Sequence, residues 1–323
     1  MGEKIDILLA TYNGEMYLKE QLDSILNQTY KNFNLIISDD ASEDKTLQIL
    51  KEYEKNDKRI KLFIQESNLG LIKNFEFLLT KVESKYYMTS DQDDVWLEDK
   101  IKLSFEKLIL DDSDLVFTDL EIVDKNLNTI YPSMWKYLKV DKKIKKYSDY
   151  RILYLYNCVT GCTILAKSKF LENIIPLPNS KYLIHDYYMA LVISLIGKIT
   201  YLDKPTILYR QSGLNLVGVS KKSEKLNTFK EVRDLFIDIK VDHFNIFVQK
   251  EFLFSNEQKE FNKKCLVYYK KIKDTKYINF KGWHLFFSLY RYEKISYYLL
   301  NFTILNIPCL ARFIFEIRKK LKN

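Results

Sequence analysis

Glycine and proline are scarce in this chain, eight and five among 323 residues. A flexible low-complexity linker is richer in both, so none is expected. No internal repeat is visible. Neither GxxxxGK[ST] nor GxGxxG occurs, so the P-loop and dinucleotide-binding ways of holding a phosphate lack their motifs. Cysteine and histidine are also sparse. Cys158, Cys162, Cys265 and Cys309 form no CxxC pair, and only three histidines accompany them, which argues against a structural zinc site. Reduced thiols in a cytosolic protein are the expectation. The opening MGEKIDILLATYNG has too short an apolar run, and is too acidic, for a signal peptide. Residues 295–311 carry no charge, but Asn301, Asn306 and Pro308 interrupt them, whereas a spanning helix needs about 20 cleaner apolar residues. No RRM, KH, helix-turn-helix or zinc-finger pattern is present, so no nucleic-acid partner is expected.

What remains is a globular balance, 47% hydrophobic and 29% charged. The length suffices for one large domain or two smaller ones. The net charge of +8 is uneven: residues 221–323 hold 22 Lys+Arg against 11 Asp+Glu, which leaves residues 1–220 at about −3. In this basic third, 225–250 and 257–273 read as amphipathic helices, and Trp283–Tyr290 is apolar and aromatic. Two readings stay open: an element lying on an anionic membrane surface, or a helical bundle with a solvated basic face.

The first half alternates strand-like and helix-like segments. Ile5–Ala10 reads as a strand, Thr11–Gly14 as a turn, and Met16–Gln28 as a helix with Leu18, Leu22, Ile25 and Leu26 on one face. Phe33–Ser38 is a second strand ending in Asp39-Asp40, and Ser42 is placed to cap the next helix. Ile60–Ile64 is a third strand, and a helix follows Gly70. Tyr86–Thr89 is a fourth strand running into SDQDDVW, residues 90–96. A helix around Trp96–Leu110 precedes a fifth strand, Leu115–Thr118. Strands separated by single helices predict an α/β fold with a mostly parallel sheet. Ligands then bind beyond the C-terminal strand ends, where Thr11-Tyr12-Asn13, Asp39-Asp40 and Asp91-Gln92-Asp93-Asp94 all fall.

Asp91, Asp93 and Asp94 lie within four positions. Carboxylates so crowded repel unless something positive joins them. They are either a solvated turn that caps a helix or oxygen ligands for Mg²⁺ or Mn²⁺ carrying a diphosphate. Asp39 can accept from a pyrimidine imide N–H, and Tyr12 can stack on the base. Trp96 and Trp135 are either sugar-stacking faces or core aromatics.

The combination ATYNGE, Asp39-Asp40, ESNLGLIKN at 66–74 and SDQDDVW resembles the family 2 glycosyltransferases over about residues 4–218. YNCVTGCTIL (156–165), HDYY (185–188) and YRQSGLNLVG (209–218) resemble the bacterial rhamnosyltransferase-type members that build surface polysaccharide. The resemblance implies a GT-A fold at 1–218, with a donor half to about 100 and an acceptor half from about 101. Residues 219–323 are then a helical, basic extension that contacts the membrane or simply packs.

It further implies an inverting transfer from dTDP-rhamnose or a UDP-hexose to a saccharide, expected to be lipid-linked. The enzyme would be cytoplasmic and peripheral at the inner face of the membrane. By position, Asp91-Gln92-Asp93 is the DxD motif: Asp91 faces the ribose, Asp93 holds Mn²⁺ or Mg²⁺, and Asp94 neighbours them. Thr11, Tyr12, Asn13 and Glu15 line the nucleotide, Asp39 reads the base, and Asn68, Gly70 and Asn74 lie on the donor side. Asp186 is the catalytic base, its neighbour His185 shapes the acceptor and sugar site, and Gly161 and Cys162 sit where donor and acceptor sugars meet. Related enzymes usually carry a His after YRQ. Here Ser212 stands in its place, leaving Arg210, Gln211 or Asn215 to bind phosphate. An impaired, sugar-nucleotide-binding relative is the alternative that this departure keeps open.

Overall fold

The computed structural model describes residues 2–141, 144, 153, 157–211 and 229–273. Ser212, Asn215 and the basic aromatic residues 280–323 lie outside them. Two compact units divide the chain. The first comprises 1–150, 157–179 and 184–219, and the second 151–156, 180–183 and 220–323.

The first unit is built on one nine-stranded sheet. Its N-terminal part follows the alternating pattern: β1 (Ile5–Thr11), α1 (Leu18–Leu26), β2 (Phe33–Asp39), α2 (Thr46–Asn56), β3 (Ile60–Ile64), α3 (Leu71–Leu79) and β4 (Tyr86–Ser90). Strands β3, β2, β1 and β4 are parallel neighbours in that order. The side chains of β1, β2 and β4 are nearly all buried, as expected of a sheet covered on both faces, while the edge strand β3 buries only Ile60. The apolar stripe of α1, Leu18, Leu22 and Ile25, packs into the same core. Asp6 is a buried exception inside β1. Its carboxylate accepts from Asn34 Nδ2, the Glu83 and Ser84 amides and Ser84 Oγ, at 2.7–2.9 Å, so it has the partners that burial demands.

Beyond β4 the sheet is mixed, where the sequence pattern predicts mostly parallel pairing. In chain order come β5 (Val95–Trp96), α4 (Lys100–Leu110), β6 (Leu115–Asp124), β7 (Thr129–Tyr131), α5 (Met134–Tyr137), β8 (Leu165–Lys167), α6 (Leu171–Ile174), α7 (His185–Ile196) and β9 (Ile199–Gln211). β8 runs antiparallel between β4 and β6, β6 and β9 are parallel, and β5 is antiparallel to β9. This corrects the expectation of a helix around Trp96: Val95-Trp96 pairs with Leu208-Ile207, and the helix begins at Lys100. Ser42 is a second correction. α2 begins at Thr46, whose amide donates to Asp44 Oδ1 at 2.9 Å, and Ser42 turns back to Asp39 instead.

The second unit is described through two helices, α8 (Phe229–Gln249) and α9 (Asn256–Lys273), at the places read as amphipathic. Phe244 stacks on Tyr269 at 5.7 Å, and Lys273 pairs with Asp238 at 2.7 Å. No helix among the described residues is long and apolar enough to cross a membrane.

Candidate active site

A cleft of about 500 Å³ opens beyond the C-terminal ends of β1, β2 and β4. Thr11, Tyr12 and Asp40 form one wall, with Asn68, Gly70, Asn74 and Phe75 beside them. Asp91, Gln92 and Asp93 form an acidic edge. Val159, Thr160, Gly161, His185, Asp186 and Tyr209 contribute the far wall. Residues far apart in sequence thus meet at one sheet edge, as strand-end placement requires.

Loop-to-loop hydrogen bonds hold the first wall. Thr11 Oγ1 and Ser42 Oγ donate to Asp39 Oδ1 at 2.9 and 2.7 Å, and the Ser42 amide donates to Oδ2 at 3.0 Å. The Asn13 amide donates to Ser42 Oγ, and Asn13 Oδ1 accepts from the Glu43 amide, both at 2.9 Å. Glu15 Oε2 accepts from the Lys45 amide at 2.9 Å. Asp39, Asn13 and Glu15 are therefore staples between the loops after β1 and β2. They are absent from the cleft lining. Asp40 lines it instead, and its carboxylate accepts from the Leu69 and Gly70 amides at 2.7 and 2.9 Å. Gly70, at φ 81°, makes the left-handed turn into α3 that a side chain would strain.

Gln92 clasps the opposite loop. The Tyr12 amide donates to Gln92 Oε1, and Gln92 Nε2 donates to the Tyr12 carbonyl, both at 2.9 Å. Gly14 makes room for this clasp: a Cβ there would stand 2.3 Å from Gln92 Oε1. Gln92→Ala removes both bonds and is expected to destabilise the chain by about 1–3 kcal/mol. It should also shrink the thermal shift that UDP induces. A melt with an undiminished UDP shift would count against the clasp.

The acids are strongly perturbed. Burial, then the nearby Asp93 and Asp186, push the Asp91 carboxyl up to about 7. Burial raises Asp93, against which Arg210 acts. Burial, with Asp93 and Asp91, raises Asp94 well above the usual carboxylate range. Two buried cations stand near. Lys100, on the inward face of α4 with Ile101, Ser104 and Leu108, sits over the Trp96 ring at 4.6 Å with no hydrogen-bond partner for Nζ. Burial pulls its pKa down to about 8, opposed by Cys162 and Asp94. Arg210, 1% exposed, donates to Glu20 Oε2, to the Asp93 carbonyl at 2.9 Å and to the Lys125 carbonyl at 2.7 Å, and lies over the Tyr17 ring. Through the Asp93 carbonyl it braces the acidic segment.

Three more expected contacts lie outside the cleft. Trp96 is core, 3% exposed, and Trp135 is core at 2%, its Nε1 donating to the Cys158 carbonyl. Hydrophobic burial won over sugar stacking in both. Cys162 is buried beneath the acids, its thiol pushed well above its ordinary range by burial. Thr11, Tyr12, Asn68, Gly70, Asn74, Asp91, Asp93, Gly161, His185 and Asp186 do line the cleft. Asp40 and Gln92 fall at the strand ends expected to bind ligand, without an individual role, whereas no sequence feature named above marks Phe75 or Lys100. For Lys100 the usable signal was its i, i+4, i+8 spacing with Ser104 and Leu108 on one helix face.

A divalent cation fits the acidic edge. Ligand atoms of Asp91, Asp94 and Cys162 lie within 4.8 Å of one another, and buried, mutually repelling carboxylates gain from a cation between them. Oxygen donors suit Mg²⁺ or Mn²⁺, whereas a protonated thiol does not. Asp93 faces the cleft outside this cluster, and Asp94 lies beneath it.

Comparison with known proteins agrees with this geometry. The family description "Glycosyl transferase family 2" matches residues 6–174. The chain is 34% identical over 225 residues to the dTDP-rhamnosyl transferase RfbG of Shigella flexneri, covering 66% of this chain and 74% of that protein. It is 26% identical over 234 residues to the UDP-Glc:alpha-D-GlcNAc-diphosphoundecaprenol beta-1,3-glucosyltransferase WfgD of Escherichia coli, covering 71% and 82%. In fold it resembles S. aureus TarS 1-349 in complex with UDP-GlcNAc, with TM-score 0.55, 19% identity and coverage of 94% of this chain and 81% of that one. The mannosyltransferase PcManGT from Pyrobaculum calidifontis, in complex with GDP-Man and Mn²⁺, gives TM-score 0.54 at 14% identity, covering 94% and 84%. The chain belongs to glycosyl transferase family 2 and is a glycosyltransferase of GT-A fold.

Proposed function

We propose that this enzyme moves a sugar, with inversion, from a nucleoside diphosphate sugar to a saccharide hydroxyl. The observation that carries this reading is that Asp186 lines the same cleft as Asp91 and Asp93. A transfer of this kind needs a proton acceptor on one side of the anomeric carbon and a charge-stabilised leaving group on the other. Asp186 takes the acceptor hydroxyl's proton as the new C–O bond forms. The bond from the anomeric carbon to the diphosphate oxygen breaks, and its electron pair leaves with the nucleoside diphosphate. Asp91 and Asp94, with Asp93 beside them at the cleft, would hold Mn²⁺ or Mg²⁺, a Lewis acid that would supply charge neutralisation for the diphosphate. Tyr12, 44% exposed on its loop, offers a face to the base. Thr11, Asn68, Gly70 and Asn74 shape the rest of the donor side.

The relatives favour dTDP-rhamnose or UDP-glucose as donor, and a diphosphate-lipid-linked saccharide of a surface polysaccharide as acceptor. A cytoplasmic enzyme peripheral to the inner membrane face, its basic C-terminal region toward anionic lipid, would meet such an acceptor. A screen of nucleotide sugars with Mn²⁺ or Mg²⁺, read as released nucleoside diphosphate, tests the reading. One donor is expected to dominate, and release from none would overturn it.

A further inference from the structure

Phe75 and His185 form a stacked pair in the cleft wall. Their ring centroids are 3.9 Å apart and their planes 14° from parallel. Phe75 comes from α3, and His185 is the first residue of α7. His185 is 4% exposed, yet neither of its ring nitrogens has a hydrogen-bond partner. A purely structural buried histidine finds one, because an unpaired buried polar atom is unfavourable. Asn74 repeats the pattern beside Phe75: Nδ2 donates to the Ser38 carbonyl at 3.1 Å, while its buried Oδ1 has no partner. His185 also adjoins Gly161 together with Asp186. A Cβ on Gly161 would stand 3.2 Å from His185 Nε2 and 3.4 Å from Asp186 Oδ2, so both atoms border one patch of bare backbone.

We propose that His185 hydrogen-bonds a hydroxyl of the transferred sugar, with Phe75 fixing the plane of the imidazole, and that this contact helps select the donor sugar. The proposal rests on the nucleotide-sugar reading above. Burial lowers the pKa of His185, and an uncharged imidazole presents one donor and one acceptor. A hydroxyl presents the same pair, whereas phosphate or carboxylate would call for a charged partner. Phe75 and Asn74 lie beside Asn68 and Gly70, read above as the donor side, while His185 adjoins Asp186, so the contact is assigned to the sugar being transferred between them.

The test is calorimetric, on the full chain with Mn²⁺. UDP and dTDP are compared with UDP-glucose, UDP-galactose, UDP-GlcNAc and dTDP-rhamnose, and the tightest sugar ester is carried into the variants. His185→Ala is expected to leave the nucleoside diphosphate Kd within about twofold and to raise that of the sugar ester about tenfold, the scale of one hydrogen bond. His185→Gln, which keeps a donor and an acceptor, should recover part of the loss. Both Kd values rising together would make His185 only a wall residue and overturn the proposal. An unchanged sugar-ester Kd, with or without a higher KM for acceptor, would also overturn it. A wild-type chain that binds no nucleotide would refute the donor reading first, and this contact with it.

Discussion

Asp186→Asn is expected to lower turnover by about 10²–10⁴-fold, the usual contribution of a positioned base, while the affinity for nucleotide sugar stays nearly unchanged. The substitution is conservative in structure. Asp186 Oδ1 accepts from the Tyr187 amide at 2.6 Å at the start of α7, and an amide oxygen can do the same. What Asn cannot do is take a proton. Single-turnover kinetics with pre-bound donor separate the two effects: the chemical step slows and the donor Kd does not move. A variant that keeps more than about a tenth of wild-type turnover would remove Asp186 from the base role. Loss of donor binding in parallel would mean that the variant damaged the wall shared with Gly161 and His185.

The second large effect is expected at Asp91. Asp91→Ala should abolish most of the Mn²⁺-dependent gain in UDP affinity, and the wild-type gain should itself depend on pH. The Asp91 carboxyl, ordinarily 3.8, is pushed up to about 7 in the fold by burial and its acidic neighbours. Between those values the folded chain holds a proton that the unfolded chain has released. Without metal, this group therefore makes the fold less stable as pH rises through the window. A cation must displace the same proton, so metal affinity should climb by up to about tenfold per pH unit below 7 and flatten above it. In Asp91→Ala the slope should fall, leaving what the raised Asp93 and Asp94 carboxyls contribute. A wild-type Mn²⁺ affinity for the UDP complex that is flat from pH 5.5 to 7 would show that Asp91 carries no such proton. Asp93→Ala is expected to weaken the same metal-dependent binding, since its carboxylate faces the cleft beside Asp91.

Much of this site was legible in the chain because strand ends are. Ile5–Ala10, Phe33–Ser38 and Tyr86–Thr89 read as apolar runs broken by polar residues, and the strands found there end within two residues of those places. Three polar clusters after parallel strands must share an edge, and Thr11, Asp91 and Asp93 do line one cleft. What the pattern could not reveal were contacts set by distant pairing. Trp96 joins a strand only because β9, over 100 residues later, supplies Leu208 and Ile207 as partners. The turn of the sheet from parallel to antiparallel at β8 depends on a three-residue strand with no periodicity to read. Arg210 and Lys100 look like surface cations in sequence, and only packing shows them buried against the acidic segment. Asp39 and Asp40 are adjacent and alike, yet alternation along the strand end turns one toward Thr11 and Ser42 and the other toward the cleft.

The Gln92 clasp bears on how the enzyme can move. The acidic segment is tied at one end to the Tyr12 loop through two bonds of 2.9 Å, and at the other to β9, where the Arg210 amide donates to Asp94 Oδ1 at 3.2 Å. An edge anchored to strands on both sides has little freedom to swing. On the proposed function, departure of a spent nucleotide would then be permitted by the other lining residues, among them Gly70 and Gly161. In that division of labour the acids would form the fixed jaw, and the rate of product escape would be set by residues away from the proposed metal.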